Sequence, residues 1–203
     1  MVEEAISLAI TALHNGNRAL ADQVINGDQA IDRREVQIEE ECLKILALYQ
    51  PVASDLRFVV SVLKMNNDLE RMGDYAMNIA ERVVALTAYE QITIPPKMME
   101  MADRGRSMVK KSLDALVESD AQLARFVCVS DDEVDELHRE LYNDIKQNIR
   151  ENIGQLDQWT QLLSVLRYLE RIADLATNIS QDVIYLVEGE VVRHKHEDNA
   201  RKR

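Results

Sequence analysis

Cysteine, proline, glycine and aromatic residues are all scarce in this sequence, and each scarcity narrows what the chain can be. The two cysteines, Cys42 and Cys128, have no Cys-x-x-Cys spacing and no histidine at ligand spacing, so they read as reduced structural thiols. Three prolines, six glycines and 4% aromatics, against an abundance of Leu, Ala, Glu, Ile and Val, point to helix. Basic residues are outnumbered, and a formal net charge of −12 argues against a nucleic-acid partner while fitting an acidic protein or a cation binder. No apolar run is long enough to span a membrane, and the opening Met-Val-Glu-Glu lacks the basic and apolar regions of a signal peptide, so the sequence predicts a cytoplasmic protein. There is no Gly-rich phosphate loop and no Ser-His-Asp arrangement.

What the sequence does have is an internal repeat. Leu69-Glu70-Arg71-Met72-Gly73-Asp74-Tyr75-Ala76-Met77-Asn78-Ile79 returns as Leu169-Glu170-Arg171-Ile172-Ala173-Asp174-Leu175-Ala176-Thr177-Asn178-Ile179. Leu, Glu, Arg, Asp, Ala, Asn and Ile recur at matching places, which marks one module written twice. On a helix, Glu70, Asp74 and Asn78 stand one turn apart on one face. Like charges at that spacing cost roughly 0.2–0.5 kcal/mol, and the chain accepts the cost in both copies. Arg71 and Arg171 relieve part of it, and a bound cation would relieve more. Ligation by oxygen alone favours a hard or borderline cation such as magnesium, calcium, manganese or iron.

Apolar periodicity predicts six helices, over residues 2–26, 29–48, 55–89, 97–127, 130–152 and 157–188. Gly27 is read as ending the first and Asp28 as capping the second, Pro95-Pro96 separates the halves, and the fourth is interrupted or frayed near Glu118-Ser119-Asp120. The third helix buries Val62, Met65, Leu69, Met72, Ala76, Ile79, Ala80 and Val83, leaving Glu70, Asp74, Asn78 and Glu81 at the border of the core. Residues 193–203 read as a charged, frayed tail. Asp28, Ile31 and Asp32 also match Asp131, Val134 and Asp135, so each half is a three-helix unit. The expected division is 1–93 and 94–203.

If the second and third helices fold back about a turn near residue 52, Glu70 and Asp74 lie level with residues 34 and 30. Asp32 and Glu35 then come within reach. The same construction about residue 155 brings Asp135, Glu136 and Glu140 near Glu170 and Asp174.

Pro51-Val52-Ala53-Ser54-Asp55-Leu56-Arg57, Asp68-Leu69-Glu70-Arg71-Met72-Gly73-Asp74, and the second copy through Ala176-Thr177-Asn178-Ile179 resemble the signature of the PhoU family. The resemblance covers essentially the whole chain and implies an all-α fold of two tandem, pseudo-symmetric three-helix bundles. It implies multinuclear iron or zinc clusters on Glu70, Asp74, Glu170 and Asp174, supported by Asp32 and Asp135, with magnesium or manganese as further candidates. It also implies a non-enzymatic regulator that restrains phosphate uptake and signalling. The implied partners are the ATP-binding subunit of the phosphate ABC transporter, a phosphate-sensing histidine kinase and a second copy of the chain, with membranes reached only through such partners. The Pro-Val-Ala-Ser-Asp-Leu-Arg lead-in has only a degenerate counterpart, Gln158-Trp159-Thr160-Gln161-Leu162-Leu163, and the repeat register predicts a first helix shorter at its start than the fourth.

Two other classes compete. A carboxylate-bridged metal enzyme would combine the acids with Glu-x-x-His, and His14, His138, His194 and His196 all lack a glutamate three residues earlier. A helical scaffold that meets protein partners through bare acidic faces would need no metal at all.

Overall fold

The computed structural model describes residues 1–89, 92–189 and 191–192. The tail expected over 193–203 lies outside the described residues. Six α-helices carry the fold, and no strand occurs among the described residues: α1 (Val2–Asn15), α2 (Arg18–Tyr49), α3 (Ala53–Leu86), α4 (Pro96–Glu118), α5 (Ala121–Glu151) and α6 (Leu156–Glu188). A 3₁₀ turn, Ile153–Gln155, leads into α6.

Two helix boundaries differ from those the sequence predicts. The first break falls at Gly16-Asn17 and not at Gly27-Asp28. Gly16 adopts the left-handed conformation at φ 59°, Asn17 N–H donates to Ala12 O at 2.9 Å, and the Asn17 side chain accepts from Leu20 N–H at 3.2 Å. Gly27 lies inside α2, where a Cβ would meet nothing within 4 Å. The fourth helix stops at Glu118, at the interruption the sequence predicts near Glu118-Ser119-Asp120, and the boundary that differs is the start of α5, at Ala121 and not at residue 130. Ser119 takes the left-handed cap at φ 54°, Asp120 N–H donates to Ala115 O at 2.9 Å, and the Asp120 side chain accepts from Gln122 and Leu123 N–H. The two breaks are the same device at repeat-related positions.

In each half the three helices pack on one another, and the halves join through α3 against α6 and α1 against α4. The direction of the central pair follows from side-chain partners. Lys64 faces the Tyr185 ring, Tyr75 stacks on Tyr168, and Arg82 donates to Gln161, so the partner's number falls along α6 as it rises along α3. The pair is antiparallel and crosses near Met72 and Ile172, inside both copies of the motif. Met72, Ala76 and Ile79 of α3 and Ile172, Ala176 and Ile179 of α6 are buried in one continuous core that also takes in Ile6, Met98 and Leu141. Burying a Met, Ile or Leu side chain contributes about 1.5–3 kcal/mol. The same burial holds the opposite edge of each motif, with its acids, at the core border.

Candidate metal centre

The first cluster forms where α2 meets α3. The carboxylates of Asp28, Asp32 and Asp74 each place one oxygen within 4.8 Å of the other two. The approach is close because residue 73 has no side chain: a Cβ there would lie 3.1 Å from Ile31 Cδ1 and 3.2 Å from Ile31 Cγ2. In the second copy the matching positions hold Ala173 and the smaller Val134, both buried. Glu70 stands one turn before Asp74 on α3.

These groups repel one another. Burial, then Asp74, Asp32, Glu35 and Asp28, raises the Glu70 carboxyl above its ordinary range. Burial, then Asp32 and Asp74, does the same to Asp28, and burial with Asp32 raises Asp74 against the pull of Arg71. Asp28 Oδ1 is buried without a hydrogen-bond partner. An oxygen in that position lacks a donor or a cation.

The second cluster lies between α5 and α6. Burial, then Asp135 and Asp174, pushes the Asp131 carboxyl up to about 7, with the Thr177 hydroxyl pulling the other way. Burial and Glu170 raise Asp174, while Arg171 lowers it. Arg171 donates to Asp174 Oδ2 at 3.2 Å and lies 3.7 Å from Glu170 Oε2, so a cation of the chain already sits among these acids. Among the described residues this half has no triad as tight as the first.

The six residues expected as ligands therefore fall into two groups: Asp32, Glu70 and Asp74 in the first half, and Asp135, Glu170 and Asp174 in the second. Placing Asp74 level with residue 30 puts it between Asp28 and Asp32, which is where it sits. Glu136 and Glu140 are tied instead to Arg139 and Lys97. The sequence reading leaves Asp28 and Asp131 out of the ligand set. Asp28 is treated there as a helix cap, although its match to Asp131 within the repeat carries the missing signal. Both cysteines are free thiols, Cys42 buried and Cys128 half-buried, and burial pushes the Cys128 thiol up to about 11, which keeps it protonated.

The duplicated sequence has a match among known families. The family model described as the PhoU domain aligns twice, to residues 1–83 and 98–183. The chain belongs to the PhoU family. A phosphate-specific transport system accessory protein PhoU homolog of Aquifex aeolicus is 41% identical over 196 residues, spanning 97% of this chain and 89% of that protein. The crystal structure of the phosphate transport system regulatory protein PhoU from Streptococcus pneumoniae superimposes with a TM-score of 0.87 at 34% identity, covering 94% of this chain and 90% of that one. PhoU from Pseudomonas aeruginosa gives 0.89 at 36% identity, covering 93% and 91%. These PhoU relatives are named as accessory and regulatory proteins of phosphate transport, not as enzymes. Among the described residues no helix is long and apolar enough to cross a membrane.

Proposed function

We propose that this chain is a metal-loaded regulator of phosphate uptake and phosphate-responsive signalling. It acts in the cytoplasm, as a homodimer, on the ATP-binding subunit of the phosphate ABC transporter and on the phosphate-sensing histidine kinase. The observation that carries the metal reading is the convergence of Asp28, Asp32 and Asp74 beside Glu70, repeated as Asp131, Asp135 and Asp174 beside Glu170. The donor set fits a cation. It is all oxygen, burial and then neighbouring acids raise the Asp28, Glu70, Asp74, Asp131 and Asp174 carboxyls, and Asp28 Oδ1 is a buried acceptor without a donor. Iron or zinc are the leading candidates, and magnesium or manganese suit the same donors. When bound, the cation supplies positive charge that neutralises the acids and ties α2 to α3 and α5 to α6. This protein's own residues position the site: Gly73 sets the helix separation, and Arg171 pairs with Asp174 before loading.

Elemental analysis of untagged protein after exhaustive dialysis, beside an Asp74→Ala and Asp174→Ala double variant, tests this. At least one transition-metal ion per cluster is expected, lost in the variant. Cells carrying the variant as their only copy should take up phosphate without restraint. Metal-free protein that stays folded, with the variant indistinguishable from it, would reduce the carboxylates to a solvated or partner-facing surface.

A further inference from the structure

A groove of about 940 Å³ runs between α3, α5 and α6, beside the second cluster. Its cationic lining comes from both motifs and from the turns before the first: Lys64 and Arg71 on α3, and Arg171 on α6. Asn67, Asn178 and Gln181 add amide donors. Four carboxylates, Asp68, Asp131, Asp132 and Asp174, line it as well. The repeat does not reproduce this lining. The positions matching Asp68 and Leu175 are Tyr168 and Tyr75, whose rings stack with centroids 5.9 Å apart. The groove is a feature of one side of the α3–α6 crossing.

Three cations against four carboxylates leave the bare groove slightly negative, and Arg171 is occupied by Asp174 and Glu170. A divalent cation held by Asp131 and Asp174 changes both conditions. It reverses the net charge of the lining, and it competes for the carboxylate oxygens that hold Arg171, freeing that guanidinium.

We propose that this groove binds a free tetrahedral oxyanion of the phosphate type, held by Lys64, Arg71 and Arg171, and admits it only when the second cluster carries a cation. The inference rests on the metal reading above and extends it: the two clusters differ in role, and only the second gates an anion. The volume beyond that of the oxyanion leaves room for water to bridge it to the amides.

The test is equilibrium dialysis of radiolabelled inorganic phosphate against full-length protein, stripped with chelator or reloaded with manganese. Manganese content and helical circular dichroism are measured on every sample. Loaded protein should bind phosphate, and stripped protein should not. Arg71→Met and Lys64→Met should each weaken binding about tenfold, as loss of a charge-assisted hydrogen bond does, with manganese content unchanged. Asp74→Ala should keep phosphate binding, and Asp174→Ala should lose it. Manganese-bound protein that takes no phosphate, equal binding by stripped protein, or Arg71→Met and Lys64→Met variants that bind like the parent would overturn the groove while leaving the metal reading intact. The same holds if Asp74→Ala, and not Asp174→Ala, removes binding. Protein that retains no manganese, and no iron or zinc when either is supplied in its place, would fail the metal reading itself and this inference with it.

Discussion

Asp131 concentrates the electrostatic problem of the fold in one carboxyl group. Its pKa stands at about 7 in the folded chain, raised from 3.8 chiefly by burial and then by Asp135 and Asp174. The folded state therefore holds a proton that the unfolded chain has lost at the same pH. Stability of metal-free protein should fall as pH rises from about 4 to about 7 and level off above that. Asp131→Asn removes the penalty without removing the shape. In chelator, this variant should melt higher than the parent at pH 8 and together with it at pH 4, and thermal denaturation across that range reads the difference. A variant less stable than the parent at pH 8 would show that the ionised carboxylate is well solvated. Metal competes with the same proton, so loading near pH 6 should release acid. The importance of Asp131 and Asp28 was only half legible in the sequence. The repeat pairs them, but a short acidic residue after a glycine also has the chemistry of a helix cap, and only the continuous α2 shows Asp28 facing Asp74.

The same competition between signals decided the helices. Gly16-Asn17 and Gly27-Asp28 look alike as stop and cap, yet the buried positions Ala21, Val24 and Ile31 keep one helical register straight through Gly27. Register prevails because breaking it would take Ile31 off the core. The i, i+4 motif was legible for the opposite reason, since its geometry is local and needs no knowledge of the turn. Two substitutions test this account. Ser119 holds a left-handed cap at φ 54° and is exposed, so Ser119→Gly should stabilise the protein by about 1 kcal/mol, relieving the strain that Gly16 avoids at the matching position. Gly27→Ala, with open space around it in a helix interior, should gain about 0.5–1 kcal/mol. Urea denaturation of each variant checks both, and a loss at Gly27→Ala would mean that α2 needs its flexibility there.

Duplication suggests two units that fold separately, but the packing ties them together. The buried faces of α3 and α6 meet along an antiparallel crossing, α1 meets α4, and the core residues from Ile6 to Ile184 form one cluster. Separating the halves would expose Met72, Ala76 and Ile79 on one side and Ile172, Ala176 and Ile179 on the other, all buried now. Each of the four Met and Ile side chains is worth about 1.5–3 kcal/mol, so the shared seam is comparable with the whole stability of an ordinary domain, about 5–15 kcal/mol. Full-length protein should therefore unfold in one calorimetric transition whose van't Hoff and calorimetric enthalpies agree. Residues 1–93 alone should show little fixed tertiary structure. Linkage sharpens the test, because a cation that binds only folded protein stabilises whatever unfolds with its site. Asp74→Ala and Asp174→Ala, acting on clusters in different halves, should each lower the same single transition of metal-loaded protein. Two transitions, one moved by each variant, would show that the halves are thermodynamically independent and that the α3–α6 seam is an interface between folded units rather than the centre of one core.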